Sequence, residues 1–249
     1  MVRPIIIVGD SWGCGEWRAQ GADYTVLHSG LEEYLRQDGH QVINLSQGGI
    51  SNLDIYHRLK NHLLRFPDHC DTKIFVFQTD YTRDSKHAAM QCDFGVDDWN
   101  NIQSIHDFSS RWVERFYLRL SELSITYALQ TYIIGGCSDT IWFDNMPEDY
   151  PGLNIACQSM TNLLVTGNSR ITRPVFSWYT AQCEDLVKTV KIQIPPENLA
   201  SLVDDLTHGA SRESTLLEHP QWFYPDGKHP NRFGHKKLYD YLRHCQLFL

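Results

Sequence analysis

Pro4-Ile5-Ile6-Ile7-Val8-Gly9-Asp10-Ser11-Trp12-Gly13 opens the regular structure of this 249-residue chain. Its apolar run is β-branched, too short for a helix and closed by a glycine, which reads as a strand buried on both faces. Such a strand belongs inside a parallel sheet. Ser11 then lies at the carboxyl end of a central strand, where ligands bind in open α/β sheets. Backbone N–H groups at that point precede the next helix and lack helical partners. The plainer alternative is a turn in which Asp10 and Ser11 satisfy local backbone groups.

Outward from this stretch, strand and helix patterns alternate. A Gly-rich loop, 12–21, follows the serine. Leu27, Leu31, Tyr34 and Leu35 recur at helical spacing and stop at Asp38-Gly39, a helix C-terminal signal. The second strand is read at 41–45, ending in Ser46-Gln47-Gly48-Gly49-Ile50-Ser51-Asn52. A helix capped by Ser51 carries Ile55, Leu59, Leu63 and Phe66 on one stripe and ends at Pro67. The third strand is 73–77. A polar excursion over 84–101 precedes a long amphipathic helix marked by Phe108, Trp112, Phe116, Leu120 and Leu123. A fourth strand is expected within 125–134, a helix over 155–164, a fifth strand at 174–179 and a last helix bearing Leu238, Tyr241, Leu242 and Cys245. This alternation predicts one α/β domain spanning 1–249, with a parallel sheet, helices on both faces and an insertion at about 137–225 broken by Pro195-Pro196.

Composition narrows the function classes. Hydrophobic residues make up 42% and charged residues 21%, which suits a protein with a real core. The net charge of −8, with no basic stripe, argues against nucleic acid as the main partner. No leader pattern and no apolar run near the ~20 residues of a membrane span is visible, so no membrane association and a cytoplasmic location are expected. The seven cysteines are odd in number, scattered and without a C-x-x-C pair, which reads as free thiols.

The second informative stretch is Tyr224-Pro225-Asp226-Gly227-Lys228-His229-Pro230-Asn231-Arg232-Phe233-Gly234-His235. Asp226 and His229 stand three residues apart just before the last helix. In a tight loop the carboxylate can hold one imidazole nitrogen while the other serves as a base. A serine nucleophile needs such a base because its hydroxyl is weak at its free pKa. Local hydrogen bonding at a helix start is the plainer reading of both residues. His235 reads as a structural residue of that start.

Taken together, Gly9-Asp10-Ser11, the Gly-containing turn after the second strand and Asp226-x-x-His229-Pro230 resemble the SGNH/GDSL hydrolase superfamily, and they bracket nearly the whole chain. The resemblance implies a three-layer flavodoxin-like fold of about five parallel strands and ester hydrolysis by a Ser-His-Asp triad without a cofactor. Ser11 would be the nucleophile, His229 the general base and acid, and Asp226 its orienter. The oxyanion donors would be the backbone N–H groups of Ser11 and Gly49, with Gly48 as the alternative in a shifted register. Substrates in such a family are small acyl or acetyl esters, carbohydrate esters among them.

The third block departs from that pattern. The family has Gly-x-Asn-Asp after the third strand, with the Asn as a further oxyanion donor. Here Gln78-Thr79-Asp80 stands instead. Gln78 could donate through its amide and Thr79 through its hydroxyl, while an ionised Asp80 would oppose an oxyanion. Losing one such donor costs roughly 10²–10³ in rate. Trp12, Trp17, Trp222, Phe223 and Tyr224 flank the two end blocks, as a substrate wall or as loop packing. Trp12, Thr79 and Trp222 are the expected substrate contacts. Gly13-x-Gly15-x-x-Arg18 lacks the third glycine of a dinucleotide fingerprint. His62, His69 and Cys70 lack zinc spacing, and the acidic 80–98 stretch lacks a Gly-centred calcium loop, so no metal is expected. The competing function class is a non-catalytic binding or structural module on the same fold.

Overall fold

The computed structural model describes residues 3–20, 23–66, 71–84, 102–140, 146–171, 217–225 and 229–248. Five parallel strands form the central sheet: β1 (Ile5–Gly9), β4 (Val42–Asn44), β5 (Lys73–Gln78), β6 (Gln130–Gly135) and β7 (Leu153–Cys157). Their spatial order is β4-β1-β5-β6-β7. Numbered among the sheet strands alone, this is the flavodoxin-like 2-1-3-4-5 order, whose direction reverses beside the first strand. Ile6 pairs with Ile43 on one side and Ile74 on the other, so β1 has partners along both edges. The β-branched run therefore occupies the position its composition demands.

The two faces of the sheet sort by residue parity, as a period of two requires. Ile5, Ile7, Phe75 and Phe77 face α2 (Leu31–Gln37), α6 (Met160–Thr166) and α7 (Arg232–His244) through Leu31, Leu35, Leu163, Leu238 and Leu242. Ile6, Val8, Ile74 and Val76 face α3 (Asn52–Arg65) and α4 (Ile102–Thr126) through Ile55, Leu59, Leu63, Phe116 and Leu120. Ser51 caps α3 in a full capping box with Asp54, as its sequence implied. The architecture is thus three-layered α/β.

Four expectations shift. The loop at 12–21 contains a helical turn α1 (Ser11–Cys14) and the first arm of an antiparallel hairpin, β2 (Glu16–Gln20) with β3 (Asp23–His28). Leu27 belongs to that hairpin, because Gly30, at φ +60°, breaks the chain before α2 begins. The fourth strand starts at Gln130, since α4 continues to Thr126. Ile155 lies in β7 and not in a helix, and that strand is the fifth of the sheet. The short α5 (Met146–Asp149) precedes it. The expected strand at 174–179, the excursion at 85–101 and most of the insertion lie outside the described residues.

Candidate functional site

β1 ends at the sheet's switch point and delivers Ser11 there. Asp10 caps α1: its carboxylate accepts from the Trp12 N–H at 2.9 Å and its carbonyl from Gly13 N–H at 3.1 Å. Ser11 is the first residue of the turn, 7% exposed. Neither its backbone N–H nor its hydroxyl meets an acceptor among the described residues. A first-turn N–H is free for a ligand by construction of the helix.

The second block is carried alongside by β4. Leu45 N–H donates to the Ile7 carbonyl at 2.7 Å and Gln47 N–H to the Gly9 carbonyl at 3.0 Å. This brings the Gly48-Gly49 turn beside the serine. A Cβ placed on Gly48 would stand 4.0 Å from Ser11 Cβ and 3.2 Å from Trp17 Cη2. Its N–H is directed at the Cys14 sulfur, whose pKa burial pushes up to about 12 against that hydrogen bond. Gly49 is exposed at φ +78°, a conformation that favours glycine, and its N–H has no acceptor among the described residues.

Trp17, on β2, joins these pieces to the C-terminal block. Its indole N–H donates to the Ser11 carbonyl at 2.7 Å, and its ring lies 6.0 Å, centroid to centroid, from the His229 imidazole at an interplanar angle of 32°. One face of the site is therefore a tryptophan wall running from Gly48 to His229. Glu16 holds the hairpin in place, accepting from Arg232 N–H at 3.0 Å and Arg232 Nε at 2.7 Å. His229 sits in a loop closed by Tyr224 N–H on its own carbonyl at 2.8 Å and by the Phe223–Pro230 bridge. Ser11 and His229 share no hydrogen bond among the described contacts. Asp226 lies outside the described residues.

Several expected contacts have other roles. Gln78 is fully buried: its amide donates to the Asp139 carbonyl at 2.9 Å and its oxygen accepts from the Tyr117 hydroxyl. The reason is parity, since Gln78 shares the face of Ile74 and Val76 and so points toward α4, away from Ser11. Thr79 is fully buried and donates to Asp10 Oδ2 at 2.6 Å, so it braces the Ser11 turn in place of lining a cleft. Asp80 turns back on its own helical turn, accepting from Thr82 N–H at 2.9 Å and Thr82 Oγ1 at 2.6 Å. That carboxylate is directed at its own turn. Trp12 is fully buried against Phe223, as a large apolar ring on the inner side of a short turn must be. Trp222 lies under the Lys237 ammonium, 4.5 Å from its ring centroid, beside α6 and α7.

The residues that hold the site together meet across long separations in the chain. Asp10 is fully buried and its Oδ2 also accepts from Cys137 Sγ at 3.0 Å and Arg83 Nη1 at 3.2 Å. Asn52, at the start of α3, accepts from Thr79 N–H at 3.0 Å and donates to Asp84 Oδ2 at 2.7 Å. Burial pushes the Asp84 carboxyl up to about 6, against N–H donors from Leu53 and Asn52. His235 is fully buried behind the site, near Phe77 and Gly30. Burial, then the neighbouring His28, takes its pKa down to about 3. Among the described residues no cluster of His, Cys, Asp or Glu forms a metal site, and no helix is long and apolar enough to cross a membrane.

Compared with known proteins, no family pattern and no curated sequence matches the chain. Solved structures that are similar include the psychrotrophic esterase EstA from Pseudoalteromonas sp., in a form inhibited by monoethylphosphonate, with TM-score 0.41, 12% identity and coverage of 97% of this chain and 95% of that one. TesA is similar at TM-score 0.41 and 11% identity, covering 97% and 96%. Protein YXIM from Bacillus subtilis is similar at TM-score 0.44 and 14% identity, covering 98% of this chain and 56% of its own. The fold assignment itself rests on the strand order: three loops, from the C-terminal ends of β1, β4 and β5, converge on Ser11.

Proposed function

We propose that the chain is a serine ester hydrolase. The observation that carries this reading is the pairing of Ser11 and Gly49, two backbone N–H groups without an acceptor among the described residues, on loops that meet at the sheet's switch point. Backbone donors set in advance around a nucleophile are what an acyl-transfer transition state requires. In the proposed cycle Ser11 Oγ attacks the ester carbonyl as His229 takes its proton. The carbonyl oxygen gains charge toward the N–H groups of Ser11 and Gly49. The C–O bond to the leaving alcohol breaks, and His229 returns the proton to that oxygen. Water then attacks the acyl-enzyme, with His229 as base again, releasing the acid and restoring Ser11. Asp226 would orient His229.

Trp17 supports a small acyl group, since its ring stands beside Gly48 and the carbonyl of Ser11. Carbohydrate acetyl esters are the substrate class that such a compact, aromatic-walled site suits. One observation favours the second reading, a binding module: the Gln78 amide, the only side-chain amide of the third block, is engaged away from Ser11.

Fluorophosphonate labelling of the native protein, read by peptide mass spectrometry, separates the two. The expected result is one adduct on Ser11 that disappears in Ser11→Ala and His229→Ala. Folded protein that takes no adduct would move the assignment to the module.

A further inference from the structure

Arg83 belongs to none of the blocks that the sequence singles out, yet one of its nitrogens touches all three loops. Nη1 lies 3.2 Å from Asp10 Oδ2 in the Ser11 turn, 3.1 Å from the Ile50 carbonyl next to Gly49, and 2.8 Å from Thr79 Oγ1 after β5. Asp10, Ile50 and Thr79 leave the C-terminal ends of three adjacent strands, β1, β4 and β5. No backbone hydrogen bond ties the Gly49-Ile50 turn to Thr79 among the described residues. The side chain of Arg83 is 19% exposed and that of Asp10 is wholly buried. A buried carboxylate facing a nearly buried guanidinium has a strongly fixed geometry, because breaking such a pair leaves a charge without compensation.

Arg83 is itself held. It lies within the helical turn over 81–84, with its N–H on the Asp80 carbonyl at 3.2 Å, while Asp80 caps that turn through Thr82. Asp84, the next residue, accepts from the first N–H groups of α3, whose N-terminus follows directly from the Gly49-Ile50-Ser51 turn. The Gly49 loop is thus fastened on its C-terminal side, at Ile50 by Arg83 and at Asn52 and Leu53 by Asp84. With the Gln78 amide directed away, Thr79 is the other third-loop residue that reaches both sides, through its hydroxyl to Asp10 and its backbone to Asn52, and Arg83 alone of the described contacts adds the Ile50 carbonyl.

Resting on the hydrolase reading above, we propose that Arg83 is a positioning residue: through its simultaneous contacts with Asp10, Ile50 and Thr79 it holds the N–H groups of Ser11 and Gly49 on one centre, so that they act as a pair. It touches the loops and not the substrate. Its removal should therefore lower kcat, leaving KM for a small ester nearly unchanged, since the donors bind charge that develops only in the transition state. A misplacement of about 1 Å costs roughly 10²-fold.

The test uses the full chain with Arg83→Gln, Arg83→Lys and Asp84→Asn, p-nitrophenyl acetate as substrate, fluorophosphonate labelling of Ser11, and amide exchange read by mass spectrometry. Arg83→Lys keeps the charge that Asp10 requires and guards against a variant that fails to fold. The expected result is a kcat lowered about 10- to 100-fold in Arg83→Gln with KM within about 2-fold, partial recovery in Arg83→Lys, and faster exchange confined to peptides covering 46–52 and 10–14. A wild type that labels and turns over while Arg83→Lys and any folded Arg83→Gln keep its kcat and its exchange pattern would overturn the positioning role alone. A wild type that takes no label would overturn the hydrolase reading and this role with it.

Discussion

His235 provides a test of the packing behind the site that does not depend on activity. Its imidazole is fully buried, and desolvation outweighs the one backbone contact, with Gly15, that favours the charged ring. Phe77 lies 6.4 Å away, centroid to centroid, and a Cβ on Gly30 would stand 2.8 Å from Nδ1, so the ring has no room for a hydration shell. Burial lowers its pKa from 6.5 to about 3. The unfolded chain then binds a proton that the folded chain refuses, anywhere between those values. Stability accordingly rises with pH through this window, levels off above about pH 7 and is lost progressively as pH falls. At 1.36 kcal/mol per pKa unit the full loss is about 5 kcal/mol, and the share lost by pH 5 is about 2 kcal/mol. His235→Leu removes the titration and leaves an apolar side chain of similar size in an apolar setting. Urea unfolding followed by far-UV circular dichroism at pH 7 and pH 5 gives both proteins' losses on acidification. Every other titrating group is common to the two, so their difference isolates His235. The variant should lose about 2 kcal/mol less than the wild type between the two pH values. Equal losses would refute a neutral, desolvated imidazole at this position.

Two further substitutions probe the front of the site. Trp17→Ala removes the wall between Gly48 and His229 and should raise kcat/KM for p-nitrophenyl butyrate relative to the acetate by about 10-fold or more, whereas Trp17→Phe keeps the preference for the shorter ester. An unchanged ratio in Trp17→Ala would remove this residue from acyl selection. Gly49→Ala places a methyl group in open space but forces φ +78° on an L-residue, so it should cost about 1–2 kcal/mol in urea unfolding and lower kcat by turning the donor N–H. A stability equal to wild type would show that the turn does not need its left-handed backbone.

What the chain disclosed on reading follows from which interactions are local. β1 was legible because a strand buried on both faces has no polar alternation to confuse it. α3 was legible from Ser51 and its stripe, and the end of α2 from Asp38-Gly39. The β2–β3 hairpin was not, because Leu27 happens to fall at helical spacing from Leu31, and only the φ +60° of Gly30 separates them. β7 is short, with Leu153, Ala156 and Cys157 as its buried residues, a spacing that a helix shares. Within the site, the positions of Ser11 and of the Gly48-Gly49 turn were readable from strand ends. The direction of Gln78 was available in principle, by counting parity from Ile74. Arg83, Asn52 and Glu16 were not readable, since their partners lie 73, 27 and 216 residues away along the chain. Long-range polar pairs leave no period in a sequence.

The clamp between Glu16 and Arg232 has a bearing on the order of folding. The serine turn and the tryptophan wall are made from the first 17 residues, yet the hairpin that carries the wall is fastened to the start of the final helix, 216 residues later. Closing a contact of that separation is entropically expensive and slow, so it follows the local elements. During synthesis, which proceeds from the N-terminus, the five-stranded sheet can take shape around β1 while Trp17 and His229 are still apart. Ser11 is therefore in place for most of the protein's assembly without His229 beside Trp17, and the pocket acquires its shape only in the last docking event.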